Sequence, residues 1–475
     1  MTKTLLCASL LVTTMGLPNR GEAFCGFFVA GSNEKLSNNA SQVAILREGT
    51  HTSMTMANTY KGPPENFAMV VPVPVVLKKE DVKTLPMTVF DHLDALSAPR
   101  LVEYWEADPC APDPPQTKMM PSGVAFSDGA VFSSKGGSHG VKIEAQFVVG
   151  EYEILILSAK ESGGLETWLR EKKYKIPVGA AGALAPYVRS QMKFFVAKVD
   201  INKVKKTEQG VVQLSPLRVS YESQEVRLPV RLGLLNAEAK QDLLVYLLSP
   251  NARYEVANYP NVFIPTNLEV MDEVRKDFAS FYAELFDATL APRQGKAVVT
   301  EYAWQTTSCD PCPTEPLSPQ EMVTLGASDQ RAQGSSDTSW MLTRLHARYD
   351  RESLTDDLLF REAKPVMGGR AEWNGLSADS GAKVMEGGIS NFQGRYIIRH
   401  YWKGAVACKA PQYDRWGGPP GQDPYSYQNG YKSAPTAAKG LASAARGKVA
   451  LRSVVRSPVP TLGLPGMPPP RRKTP

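Results

Sequence analysis

The amino-acid sequence predicts an α+β fold: mostly antiparallel or mixed sheets, a few packed helices and a disordered C-terminal tail. Three observations lead there. Apolar, β-branched runs come in adjacent pairs joined by turns, whereas a parallel α/β chain would alternate single strands with helices. Only a few stretches carry apolar residues at helical spacing. Residues 409–475 are mainly Pro, Gly, Ala and Ser with scattered basic groups, and have too few apolar residues to offset chain entropy.

Residues 1–23 read as a secretion signal. Lys3 gives the positive start, Leu5 to Leu17 is an apolar run too short to span a bilayer, and small residues lead to Ala23. No later stretch reaches the ~18 uninterrupted apolar residues that a membrane-spanning helix needs. The expectation is an exported protein, periplasmic or extracellular, with no transmembrane segment.

Residues 24–205 are expected to form one α+β domain. Gln42 to Arg47 and Ser53 to Ala57 read as strands around the turn Glu48-Gly49-Thr50. Asn66 to Val76 is an apolar strand in which Pro72 and Pro74 lack N–H groups, confining its second half to a sheet edge. Thr88 opens a helix with Val89, Leu93 and Leu96 as its stripe, and Pro99 stops it. Arg100 to Trp105, Val141 to Val149 and Tyr152 to Ser158 read as strands. Helices follow over Leu165 to Lys173 and toward Ser190, then a strand through Phe194, Phe195 and Val196.

The polar stretch 203–210 marks a boundary with a second α+β domain, 206–408. Leu217 to Tyr221, Glu225 to Leu232, Leu243 to Ser249 and Val298 to Trp304 read as strands, as do Met341 to Tyr349, Leu358 to Glu362 and Arg395 to Trp402. Thr266 and Glu269 have the spacing of a capping box, opening a long helix with the stripe Val270, Val274, Phe278, Phe281, Tyr282 and Leu285. Ser318-Pro319 opens another helix, with Gly326 beyond its end. The halves are similar in style, and LRVSYESQEVRLPVRLG loosely echoes FAMVVPVPVV without establishing a duplication.

The net charge of +6 is uneven. The tail 409–475 carries +9, so the remainder carries −3, and the pI of 8.8 does not argue for nucleic-acid binding. The tail could reach an anionic surface, although a solvated tail fits the same composition. Cys7 leaves with the signal. Cys25, Cys110, Cys309, Cys312 and Cys408 are then disulfide candidates in an oxidising compartment, odd in number and of open connectivity.

Few constellations suggest chemistry. Cys309-Asp-Pro-Cys312 has the layout of thiol–disulfide oxidoreductases, but the next helix starts only at about Ser318, so no helix N-terminus stands beside Cys309 to hold a thiolate. A structural bridge is the other reading. His92, between Asp91 and Asp94, and His346 are the positions around which a metal-dependent hydrolase would be built. Arg344, His346 and Arg348 alternate along a strand and so share a face that could hold a carboxylate, sulfate or acidic glycan. A solvated sheet face accounts for the same pattern. No GxSxG, GxGxxG or P-loop occurs, so no catalytic residue, cofactor or metal is assigned. The expectation is an exported, non-catalytic binding or structural protein; the alternative is an envelope thiol–disulfide oxidoreductase using Cys309 and Cys312.

The segments FAMVVPVPVVLKKEDV, FDHLDALSAPRLVEYW, GLETWLREKKYKIPVGA, MKFFVAKVD, VRLPVRLGLLNAEAKQDLLVYLLSP and CDPC ahead of a helix carry a resemblance. The chain resembles the exported bacterial family catalogued as domain of unknown function 2330, over roughly Cys25 to Cys408. That resemblance implies a bacterial exported protein and transfers no catalytic residue.

Overall fold

A computed structural model describes residues 27–29, 40–57, 68–111, 141–172, 174, 176, 179–200, 202–206, 212–236, 240–308, 314–332, 340–368, 384–419 and 447–468. The strands of the first half are β1 (Phe27–Val29), β2 (Ala40–Glu48), β3 (His51–Ala57), β4 (Ala68–Val73), β5 (Val82–Thr84), β6 (Arg100–Glu106), β7 (Val141–Val149), β8 (Tyr152–Ala159), β9 (Lys193–Val199), β10 (Lys205–Lys206) and β11 (Val212–Gln213). There follow β12 (Leu217–Glu222), β13 (Val226–Leu228), β14 (Gln241–Pro250), β15 (Arg253–Val256), β16 (Asn261–Phe263), β17 (Leu268–Glu269), β18 (Val298–Gln305) and β19 (Trp340–Tyr349). The last are β20 (Leu358–Ala363), β21 (Val366–Met367), β22 (Met385–Glu386), β23 (Asn391–Gln393), β24 (Arg395–His400) and β25 (Trp416–Gly417). The helices are α1 (Thr88–Ser97), α2 (Ser162–Glu171), α3 (Ala180–Arg189), α4 (Phe278–Leu290), α5 (Pro319–Leu325), α6 (Asp329–Ala332) and α7 (Leu451–Val454).

Alternation along the strands builds a four-layer stack. A five-stranded sheet, in the order β1-β4-β9-β8-β7, turns Val71, Val73, Phe195 and Ala197 to one side and Val70, Phe194 and Val196 to the other. The second set packs under α2 and α3 through Leu165, Trp168 and Leu184. The first set faces an eleven-stranded sheet, ordered β22-β21-β23-β18-β19-β14-β2-β3-β12-β5 with β16 also pairing β18. Val43, Ile45, Val219, Val245 and Leu345 meet it there, and α1, α4 and α5 cover the opposite face of the large sheet. This is the expected α+β class with mixed sheets: β14 and β2 run parallel, while β14–β19, β2–β3 and β3–β12 are antiparallel. Two of these pairings, β2–β14 and β3–β12, cross the polar stretch expected to part the chain.

Two elements differ from expectation. The helix expected from Thr266 begins only at Phe278, capped by Asp277, whose carboxylate accepts from the Ser280 N–H at 3.2 Å. Leu268 and Glu269 are instead a strand, parallel to β24, and Val270 bridges Val455. Local capping propensity yields here to tertiary strand pairing. The second difference lies in the tail. Residues 409–419 and 447–468 were expected to be disordered with the rest of 409–475, yet the first pairs with β6 through β25 and the second is docked. Val454, Val455, Val459 and Leu464 are buried in one cluster with α4, and Met271 N–H donates to the Val454 carbonyl at 2.8 Å. Tail-wide composition hides this local apolar run.

Cys110 and Cys408 form a disulfide with Cα atoms 5.5 Å apart, closing a span of 298 residues. It holds the segment after β24 against the edge of β6, where β25 pairs antiparallel with Trp105 and Glu106. There the buried Glu106 carboxylate accepts from both Trp402 N–H (3.0 Å) and Asp414 N–H (2.9 Å). Cys25, Cys309 and Cys312 lie outside the described residues. Among the described residues, no helix is long and apolar enough to cross a membrane.

Candidate functional site

β19 does put Arg344, His346 and Arg348 on one face, but that face is not available to an external anion. Arg344 and His346 are 0% exposed and lie under α1 and α4. Their anions are the chain's own carboxylates. Arg344 donates through Nε to Glu301 (2.6 Å) and through a terminal nitrogen to Asp94 (2.7 Å). His346 Nδ1 lies 2.7 Å from Glu301 and Nε2 3.2 Å from Asp242. Arg348 donates to Asp287 at 3.0 Å. Tyr282 and Tyr246 add hydroxyl donors to Glu301 (2.5 Å) and Asp94 (3.0 Å), and Phe286 lies 4.2 Å from the His346 ring.

Glu301 is the centre of this network, and a backbone irregularity places it there. The β18–β19 register shifts between Thr300 and Tyr302, leaving Glu301 as the bulged residue, and bulges re-aim side chains. Burial alone would raise its pKa; the charges of His346 and Arg344 overcome that and hold it down to about 2. Burial would likewise lower His346, but the Glu301 charge and the bonds to Asp242 and Glu301 raise it to about 9, so the ring is an imidazolium at neutral pH. Both ring nitrogens are committed as donors to carboxylates. A cationic imidazole in this state is not a metal ligand.

His92 is committed elsewhere. Its Nδ1 is 2.6 Å from Glu321, which also closes the capping box of α5 with Ser318, and its Nε2 donates to the Glu315 carbonyl at 2.8 Å. Asp94 turns inward to Arg344. The start of α5 at Pro319 agrees with the expected distance between Cys312 and the next helix. Among the described residues, no three His, Cys, Asp or Glu side chains gather as a metal site.

A second feature, which sequence reasoning missed, lies on the other side of the large sheet. Where the end of β4 approaches β3 and β12, the inter-sheet core opens into a cleft of about 230 Å³. Met54, Val71, Val73 and Val219 give it apolar walls, and Glu225 and Arg227 stand at its rim. Arg227 is already paired, at 3.0 Å from Glu225 and 3.8 Å from Asp357. Tyr221 also lines the cleft. It is only 8% exposed, and among the described residues its hydroxyl has no hydrogen-bond partner. Burial pushes the phenol up, so it stays a proton donor. The expected edge character of Val71 to Val73 fits this position, because β1 pairs only with Ala68 to Val70.

A family model, described as an uncharacterized protein conserved in bacteria, matches residues 20–361. The chain belongs to that family, domain of unknown function 2330. The matched range contains every residue of the buried network and of the cleft. It ends before Cys408, which the resemblance was expected to reach, so the disulfide partner of Cys110 and the docked arm 447–468 lie beyond it. No curated protein and no solved structure matches the chain.

Proposed function

We propose that this chain is an exported, non-catalytic binding protein whose ligand site is the inter-sheet cleft. One observation carries the reading: the cleft combines apolar walls with a tyrosine, Tyr221, whose hydroxyl bonds to nothing within the described chain. A phenol on the wall of an apolar cleft, with no bond to the chain, is a donor that a bound molecule can use in place of water. The chemistry-bearing groups singled out in the sequence support it in another way. Arg344, His346, Arg348 and His92 are spent on holding layers together. Export rests on the signal-like residues 1–23 and fits a long-range disulfide.

The reading is tested by thermal-shift screening of the purified mature protein against small apolar and amphipathic compounds, with Ser190→Trp as the control. Ser190 is an exposed lining residue, so the indole obstructs the cleft without entering a packed core. Stabilisation in wild type that is lost in Ser190→Trp supports the proposal. Turnover of ester, peptide or glycoside substrates would overturn it. Insulin reduction that disappears in Cys309→Ser would establish the thiol–disulfide alternative in its place. Export is checked by N-terminal sequencing of protein recovered outside the cytoplasm, with a start at Phe24 expected.

A further inference from the structure

Granted that the cleft is the ligand site, a buried guanidinium beside its Tyr221 end narrows what it takes. We infer that the ligand is an anionic amphiphile, a carboxylate or sulfonate on a medium-length hydrocarbon chain, with its head at Arg47 and Tyr221. The strand register places these groups. Arg47, Thr52 and Tyr221 stand opposite one another across β2, β3 and β12, so they share one face of the large sheet. Ile45, Met54 and Val219 form the next row on that face, within the core between the sheets, and Met54 and Val219 line the cleft. The Arg47 side chain crosses toward β12. It donates to the Gln224 carbonyl at 3.2 Å, and the residues on either side, Ser223 and Glu225, both line the cleft.

Charge decides the class of the head. Arg47 is only 7% exposed, yet it bonds to neutral oxygens alone: the Thr50 carbonyl (2.9 Å), the Thr52 hydroxyl (2.6 Å) and the Gln224 carbonyl. Among the described residues no carboxylate lies within ion-pairing distance of it. Acids on the neighbouring segments are spent or solvated. Glu222 pairs with His51 at 2.9 Å, Glu225 with Arg227 at 3.0 Å and Glu48 with Arg331 at 2.9 Å, and Glu362 is exposed. Arg344, by contrast, is clamped between Asp94 and Glu301. A buried cation among neutral dipoles has lost hydration without gaining a counter-charge, and a bound anion supplies one. Burial raises the Tyr221 phenol and the Arg47 charge pulls against it, so the two groups are close enough to share one anion. The rest of the ligand meets Met54, Val71, Val73 and Val219, which reward hydrocarbon. At the ~30 Å³ that a water-sized group occupies, the cleft holds about eight such groups.

Isothermal titration of the full mature protein with octanoate, octanamide and octylammonium at neutral pH tests this. Octanoate is expected to bind with Kd of roughly 1 mM or tighter, octanamide at least about tenfold more weakly, and octylammonium not at all. Arg47→Gln brings octanoate down to the level of octanamide and leaves octanamide unchanged. Tyr221→Phe weakens octanoate about fivefold while the melting temperature holds. Ser190→Trp abolishes octanoate binding. Arg47 also ties the β2–β3 turn to Gln224, so if Arg47→Gln fails to fold, the order of the three ligands on wild type decides. Octanamide or octylammonium binding as well as octanoate, and lost in Ser190→Trp, would overturn the anionic class and keep the cleft as the site. Unchanged octanoate affinity in folded Arg47→Gln removes the role assigned to the guanidinium. Octanoate binding that survives Ser190→Trp intact would overturn both the class and the cleft. If none of the three binds, the inferred class falls, while stabilisation by other compounds in the thermal-shift screen would keep the cleft reading.

Discussion

The two faces of the large sheet bury polar groups in opposite ways. Under α1 and α4, each ionised group of the network meets an opposite charge: Arg344 lies between Asp94 and Glu301, and His346 between Glu301 and Asp242. On the other face, toward the small sheet, Tyr221 is nearly as inaccessible but has no partner among the described residues. A network of opposite charges fixes the position of helices on a sheet, even though Arg344, Asp242 and Arg348 each keep one buried polar atom unbonded. The Tyr221 hydroxyl makes no bond that holds the fold, and its place on the wall of the cleft leaves it free to donate to a bound molecule. Burial of polarity is therefore not by itself a sign of function here; a polar group on the wall of a cleft is the better guide.

Mutations separate the two faces most sharply at Glu301. Replacing it with Ala leaves a buried guanidinium and imidazolium facing each other, and equilibrium urea unfolding should show a loss of about 3–5 kcal/mol. The pH profile comes next. His346 has a folded pKa raised to about 9, so its contribution is complete below about 6.5 and is lost as pH rises through 9, on the order of 3 kcal/mol in all. Glu301 has a folded pKa lowered to about 2, so its contribution is present above about 4.5 and is lost as pH falls toward 2. Unfolding free energy should therefore be greatest between about pH 4.5 and 6.5, and the decline above pH 6.5 should flatten in His346→Gln. His92, also raised, adds to that decline in the same direction.

The tyrosines give the closest comparison and the smallest effects. Tyr246→Phe removes a hydroxyl donor from Asp94 inside the network and should cost about 1.5–3 kcal/mol. Tyr221→Phe removes a hydroxyl with no described partner and should change stability by less than about 0.5 kcal/mol in the absence of ligand. Equal costs for the two substitutions would erase the distinction between the faces.

Much of the fold was legible because alternation and helical spacing act locally. β7, β8, β14 and β19 stand where apolar alternation or unbroken apolar runs put them, and α2, α3 and α5 where stripes and caps put them. What local patterns could not supply was partnership. The alternation of Arg344, His346 and Arg348 identified their shared face but not whether it was wet, since that depends on α1 and α4 lying over it. A lone glutamate in VVTEYAWQ and a lone aspartate in QDLLVYLLSP were the available signals of a buried network: single charges inside otherwise apolar strands. The capping box at Thr266 was overridden because β24 and Val455 claimed the same backbone. The cleft left no sequence signal. It exists only because β4 and β12, far apart in the chain, stop short of filling the space between their sheets.

The Cys110–Cys408 bond makes the middle of this protein a covalent ring. A single cut anywhere between residues 111 and 407 cannot release a fragment. The nicked molecule keeps one mass under non-reducing conditions and comes apart only when thiol is added to the denatured chain. That converts most first cleavages within the ring from losses into tolerated scars.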